Sequence, residues 1–219
     1  MRVVMLGTGT DVGKTYVTAR LAAGVRPRAS VLALKPIESG VVEGALGDAE
    51  LIAQCAGHPA RLSPWRFARP VSPHLAARDQ GQSIDLGAVV SWIENAERAR
   101  GASVTLVETA GGACSPLAVG VSNVELARAL EPALWVLIAP DSLGVLHDVT
   151  ATLRSLPRSP DAVVLTAARP RDASSGSNAR ELADLQITPV LCVVERDGAG
   201  RPLVEWLLAH PQLGLDVNA

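Results

Sequence analysis

The stretch Arg2-Val3-Val4-Met5-Leu6-Gly7-Thr8-Gly9-Thr10-Asp11-Val12-Gly13-Lys14-Thr15-Tyr16-Val17-Thr18 decides the fold. It opens as a short apolar run with the length and composition of a buried strand. Glycines follow at 7, 9 and 13, and an amphipathic helical pattern begins at Lys14. Strand, glycine loop and helix in that order build a phosphate cradle. The glycines let consecutive amides turn inward, the helix N-terminus adds partial positive charge, Lys14 can reach terminal phosphates, and the Thr15 hydroxyl is placed for Mg2+. Five residues separate Gly7 from Gly13, one more than in the commonest form of such a loop.

Working outward, apolar runs at 31–35, 104–108, 133–138, 162–166 and 190–194 read as further strands. Segments 14–23, 48–56, 86–99, 122–130, 144–156 and 177–186 read as helices, several opening on Asp, Ser or Asn. This alternation predicts right-handed crossovers and a parallel sheet flanked by helices on both faces, a three-layer α/β/α arrangement with ligands beyond the carboxyl ends of the strands. The 219 residues fit one domain, 1–219, and the scarcity of aromatics beside many Ala, Val and Leu suits a sheet buried on both sides. Pro157 to Pro160 and Pro170 to Gly176 read as surface loops, the second a mobile one, and the tail from Arg201 as a final packing helix or a subunit contact. Trp65, Trp92, Trp135 and Trp206 show no stacking pattern and read as core or interface residues.

A formal charge of −2, with Arg, Asp and Glu interspersed, provides no basic stripe, so nucleic acid is excluded as an expected partner and a small anionic ligand is left. The first apolar run is too short for a signal peptide and no stretch reaches membrane-spanning length, which predicts a cytoplasmic protein with no membrane partner. Cys55, Cys114 and Cys192 share no Cys-x-x-Cys spacing, against a disulfide framework or zinc knot; Cys55 and Cys192 read as buried, inert thiols.

Only two of the twenty basic side chains are lysine, Lys14 and Lys35, and each lies in a glycine-flanked motif after an apolar run. Arginine can replace lysine wherever a solvated charge suffices, but not where a compact ammonium must reach a phosphate or a reacting amine, so the two lysines mark chemistry. Lys35-Pro36-Ile37-Glu38-Ser39-Gly40 ends the second run; Pro36 fixes the backbone there and holds Lys35 at the ligand edge, where it can stabilise developing negative charge. Val107-Glu108 ends the third, followed by Thr109-Ala110-Gly111-Gly112. A carboxylate at a strand tip beside a phosphate cradle suits Mg2+, and Asp48 is the second candidate carboxylate, or a plain helix cap.

Together these elements resemble the dethiobiotin synthetase family of P-loop enzymes from strand one to about Thr152. Gly13-Lys14-Thr15, Lys35-Pro36-x-x-Ser39-Gly40, Asp48, Ser72-Pro73-His74, Glu108-x-Ala110-Gly111-Gly112 and Leu143-Gly144 fall in family order. The resemblance implies a P-loop NTPase fold and an ATP-dependent cyclo-ligase of biotin biosynthesis. Such an enzyme carboxylates 7,8-diaminononanoate with CO2 to a carbamate, activates it as a carbamic-phosphoric anhydride, and closes the ring to dethiobiotin. ATP would lie on Asp11, Val12, Gly13, Lys14, Thr15, Tyr16, Asp48, Glu108 and Gly111, with Mg2+ on Thr15, Asp48 and Glu108. Lys14 and Lys35 would steady the carbamate and γ-phosphate. Thr10 and Ser39 would orient the amine end, and Ser115, Pro116, Leu117, Leu143 and Gly144 would line the carboxylate end, across the interface of a homodimer.

The chain departs from the family pattern at Thr109, which is expected to add a side chain near the metal, and at His147-Asp148, near the substrate tail. It departs again around Leu165 to Arg169 and Val193 to Arg196, where the base would sit. His74 reads as a substrate contact or a solvated turn residue, and His58 and His210, each before a proline, as loop residues. The rival readings are a nucleotide-switched partner-binding ATPase of the partitioning type, an amidating synthase, or a family member acting on another amine. The first uses an extra lysine early in its loop, which Gly7 to Val12 lacks, and the second carries an attached glutaminase domain for which 219 residues leave no room.

Overall fold

A computed structural model describes residues 1–167, 170–195 and 200–213 of the chain. The base-site expectations at Ala168, Arg169 and Arg196, and residues 214–219 of the tail, lie outside the described residues. The elements run β1 (Arg2–Gly7), α1 (Lys14–Val25), β2 (Val31–Leu34), β3 (Ile37–Ser39), α2 (Asp48–Ala56), β4 (Trp65–Phe67), α3 (Pro73–Asp79) and α4 (Leu86–Arg100). They continue with β5 (Val104–Glu108), β6 (Pro116–Ala118), β7 (Val121–Ser122), α5 (Asn123–Ala129), β8 (Ala133–Asp141), α6 (Val145–Ser155), β9 (Ala162–Ala167), α7 (Asn178–Asp184), β10 (Cys192–Val194) and α8 (Arg201–Leu208). A 3-10 turn follows at Pro211–Leu213. The predicted final helix is thus α8, and among the described residues no helix is long and apolar enough to cross a membrane.

Six strands form one sheet in the order β10-β9-β8-β1-β5-β2, every pairing parallel. The chain leaves β1 for the far edge at β2, returns to β5, and then builds outward on the other side of β1 through β8, β9 and β10. The order therefore reverses around β1, which places the ligand crevice of such a sheet at the ends of β1 and β5.

Strand alternation explains the two main cores. Val3 and Met5 of β1 pack with Val136 and Ile138 of β8 beneath α1, α2 and α8. Val4 and Leu6 face the other way, with Trp135 and Leu137, against α4, α5 and the β3–β4 pair. A smaller cluster seats α6 and α7 on Ala139 and Leu165. Trp65 and Trp135 are core residues, whereas Trp92 and Trp206 pack half-buried against it. All three thiols are free; Cys192 is buried, which pushes it up to about 11 and keeps it protonated, while Cys55 is half-buried and Cys114 exposed.

Four local expectations change. The run 31–35 stops pairing at Leu34, so Lys35 lies beyond the strand rather than in it. Ser72-Pro73-His74 begins helix α3, with Pro73 in its first turn where a missing N–H costs nothing. The loop Pro170 to Gly176 is tied down rather than loose: buried Asp141 accepts from Gly176 N–H and Asn178 Nδ2 at 2.7 Å each, and Asp172 accepts the Leu143 N–H at 2.8 Å. His58 is also more than a loop residue. It is buried, its Nε2 accepts the Ala33 N–H on the outer margin of β2 at 3.0 Å, and its Nδ1 lies 2.8 Å from the Pro59 carbonyl.

Candidate active site

The cradle hangs between the end of β1 and the start of α1. Gly13 has φ 93°, in the left-handed region, and a Cβ there would lie 2.8 Å from Thr166 Cγ2, so the position admits only glycine without displacement. Thr166, at the end of β9, props the loop from below by donating to the Val12 carbonyl at 2.8 Å. Lys14 folds back over the loop and donates to the Gly9 carbonyl at 2.8 Å. It is nearly buried, and burial, aided by the charge of Lys35 and opposed by Glu108, lowers it to about 8.

Lys35 enters from the other side, held by the Pro36 exit from β2. Its ammonium donates to Asp48 and, at 2.8 Å, to Glu108 Oε1. Burial works against this charge as well, but Glu108 and Asp48 outweigh it and hold Lys35 above its usual value. Glu108 is completely buried at the tip of β5; its Oε1 also accepts from the Thr15 hydroxyl at 2.6 Å, while Oε2 is buried with no partner among the described residues. Asp48 is the first residue of α2 rather than its cap, which is Gly47. An unsatisfied carboxylate oxygen, a neighbouring hydroxyl and a half-exposed second carboxylate form a hard-oxygen donor set. It fits a magnesium ion that completes its shell with phosphate and water.

A cavity of about 390 Å3 collects these groups. Thr10, Asp11, Gly13, Lys14, Thr15, Tyr16, Lys35, Ser39, Asp48, Glu108 and Gly111, eleven of the positions singled out in the sequence, line it together with Ala110. Both ammonium groups thus face one space. Tyr16 also donates its hydroxyl to the Glu195 carbonyl at 2.8 Å, joining the cradle to the end of β10.

Other expected positions fall elsewhere. The Val12 side chain is buried in the core beneath the loop, leaving only its backbone at the cradle. Leu117 is a core residue, 1% exposed, because it faces inward on the β6 turn, so its side chain does not line a substrate channel. Ser115 spends its hydroxyl on the Gly112 N–H at 2.8 Å, Pro116 is exposed, and Leu143 and Gly144 stand exposed at the β8–α6 junction outside the cavity. His74 faces Ser72 at 3.1 Å, and His147 is exposed on α6; neither lines the cavity. Thr109 does not crowd the metal position: its hydroxyl turns back to the Met5 carbonyl at 2.9 Å and the side chain is buried against β1.

Sequence reading missed three supports of the site. Asn123 is fully buried and donates both amide protons, to Ala110 and Gly112 carbonyls at 2.6 and 2.8 Å, shaping the loop after Glu108. Thr166 holds the cradle through the Val12 carbonyl. Glu38 lies inside the quoted Lys35 motif, but its partner Arg66 is 28 positions away and leaves no local trace of the pairing. A polar residue beginning α5 right after the Ser122 cap was the available signal for Asn123; a lone Thr at a strand end offered none.

A six-stranded parallel sheet with a glycine loop ending Gly13-Lys14-Thr15 at its switch point defines a P-loop nucleotide-binding protein of the NTPase class. Solved structures agree on that fold. The signal recognition particle receptor FtsY from Elizabethkingia anophelis in complex with GDP superposes with a TM-score of 0.62 at 15% identity, covering 95% of this chain and 64% of that one. The hydrogenase maturation factor HypB from Archaeoglobus fulgidus does so with a TM-score of 0.59 at 13% identity, covering 94% and 88%. The AAA domain family profile matches residues 1–199. Sequence relatives are closer: the ATP-dependent dethiobiotin synthetase of Anaeromyxobacter dehalogenans is 36% identical over 187 residues, 82% of each chain. That of Methylobacterium nodulans is 37% identical over 160 residues, 66% of this chain and 70% of its own. The chain belongs to the ATP-dependent dethiobiotin synthetase family.

Proposed function

We propose that this protein carboxylates 7,8-diaminononanoate with CO2 and closes it to the cyclic urea dethiobiotin, converting ATP to ADP and phosphate. The carrying observation is the convergence of the Lys14 and Lys35 ammonium groups on one cavity with Thr15, Asp48 and Glu108. One substrate amine adds to CO2, loses a proton and becomes a carbamate. A carbamate oxygen displaces ADP from the γ-phosphate, giving a carbamic-phosphoric anhydride. The second amine attacks the carbonyl carbon and expels phosphate as the ring closes. Negative charge passes along this path from carbamate to phosphoryl group to released phosphate, and two buried cations facing the path favour each stage electrostatically. Lys35 stands on the Ser39 side, where the amine end would be oriented by Thr10 and Ser39, and Lys14 stands over the cradle.

Thr15, Asp48 and Glu108 would hold Mg2+, which when bound would supply positive charge to offset that of the triphosphate. Asp11, Val12, Gly13, Tyr16 and Gly111 would complete the nucleotide contacts through backbone and side chain. The substrate's carboxylate end is assigned to Ser115, Pro116 and the Leu143-Gly144 junction. Exposure of Val119 and Leu143 on these turns supports a homodimer whose partner covers them. Residues 1–219 are read as one domain, working in the cytoplasm.

The test is reconstitution. Diamine, bicarbonate and Mg-ATP together should yield dethiobiotin with stoichiometric phosphate, and Lys35→Ala should abolish both with an unchanged circular dichroism spectrum. Phosphate release that proceeds equally without the diamine would refute the assignment.

A further inference from the structure

Helix α2 begins at Asp48 behind Gly47, and no local side chain caps it. One of its free N–H groups, that of Ala49, is taken instead by Glu38 Oε1 at 3.0 Å. Glu38 belongs to β3, eleven positions earlier, and is 4% exposed. Its other oxygen accepts from Arg66 Nε at 2.8 Å, and Arg66 is its register partner across the β3–β4 pair. The same guanidinium reaches on to both oxygens of Glu50, in the first turn of α2, at 2.8 and 3.1 Å. The cluster also explains Gly47, where a Cβ would lie 2.6 Å from Glu50 Oε2 and 2.9 Å from Arg66 Nη2. The first turn of α2 is therefore clamped to a strand pair at two points, and Glu38 and Arg66 do not line the cavity.

We propose that Glu38 is a positioning residue: it fixes the Asp48 carboxylate relative to Lys35 and Ser39 and so sets how tightly the site holds its divalent cation. This rests on the reading of Asp48 as a metal carboxylate. The Asp48 side chain is 46% exposed, so packing does not place it; its ion pair with Lys35 and the backbone of the first helical turn do, and Glu38 acts on the second. Glu38 and Ser39 are consecutive, and strand alternation sends one side chain to α2 and the other to the cavity. A single peptide thereby registers the Ser39 hydroxyl, which lines the cavity, against the metal carboxylate. Capping alone would be served by an uncharged Ser, Asn or Gln at less desolvation cost. A buried carboxylate shared between a helix N-terminus and a guanidinium gives instead a stiff, directional anchor.

The experiment compares Glu38→Gln, which keeps an oxygen for Ala49 but loses the charge pair, with Glu38→Leu, which loses both, and Asp48→Asn as reference. Mn2+ affinity is read by electron paramagnetic resonance with a non-hydrolysable ATP analogue, and analogue affinity is measured separately in EDTA. Glu38→Leu should weaken Mn2+ by about tenfold or more, the scale for losing a partner that orients a ligating carboxylate, and Glu38→Gln by less. Affinity for the analogue in EDTA should stay as in the parent, an outcome that general loosening of the fold would not give. If Asp48→Asn weakens Mn2+ while a folded Glu38→Leu binds it normally, the positioning role is overturned and the metal assignment stands. If Asp48→Asn binds Mn2+ normally, both fall. Should Glu38→Leu fail to fold, Glu38→Gln and Arg66→Met decide, and parent-like Mn2+ binding by both overturns the proposal.

Discussion

Lys14 and Lys35 are both nearly buried cations, and their surroundings treat them in opposite ways. Lys35 has two directly paired carboxylates and keeps its proton firmly; Lys14, where burial dominates, has a carbonyl partner, nearby carboxylates that are not paired to it, and a like charge, and is lowered to about 8. For a base with a lowered value, the folded protein holds fewer protons than the unfolded chain between about 8 and 10.5, so the contribution of Lys14 to stability rises with pH across that window. Bound triphosphate reverses the balance by favouring the ammonium. Nucleotide binding above pH 8 should therefore take up protons. Calorimetry in two buffers of different ionisation enthalpy should show this uptake at a pH about one unit above the Lys14 value and almost none two units lower. Lys14→Arg should cost turnover about a hundredfold or more, because the planar guanidinium cannot fold back over the loop as the ammonium does; steady-state rates of that variant check it. Both lysines were legible in the sequence because composition had stripped lysine from everywhere else. Thr109 stands away from its expected place near the metal for a geometric reason: a residue one step past a strand tip can face either side of the sheet, and hydrogen bonding to Met5 turns this one inward.

The elements that hold the site divide by how locally their conformation is set. The first strand, glycine loop and helix are dictated by neighbouring residues, and their order and place were readable at once. Gly13→Ala brings that local dictate to a test. A side chain at φ 93° costs about 1–3 kcal/mol of strain, and its methyl must also displace Thr166. Thermal melting should fall and affinity for nucleotide should weaken together in this variant. Strands β3 and β4, three residues each, and β7, only two, carry no periodicity to detect, and they form because the chain around them is already in place. Their residues Glu38 and Arg66 were hidden for the same reason: a register pairing across 28 positions has no trace in local pattern.

At the scale of the molecule, the final described helix closes the face that α1 and α2 leave incomplete. Gly24 on α1 admits α8 so closely that a Cβ would meet Val204 Cγ2 at 2.5 Å. Gly24→Ala gains about 1 kcal/mol of helix propensity but overpacks this contact at about 1–3 kcal/mol. Denaturant midpoints should drop, Michaelis constants for ATP should not change, and Gly24→Ala with Val204→Ala should recover most of the loss. The layered architecture and the catalytic mouth were both foreseeable, since a parallel sheet fixes where its loops converge; which outer surface meets another molecule was not, because that depends on what lies exposed after folding. The margin at β2 is one surface already committed. With an imidazole occupying an amide of its outermost strand, the sheet offers a poor template for a foreign strand to zip onto. Growth of fibrils or strand-exchanged aggregates from that border should first require His58 to be expelled, and replacing it with alanine should shorten the lag before turbidity appears on mild heating.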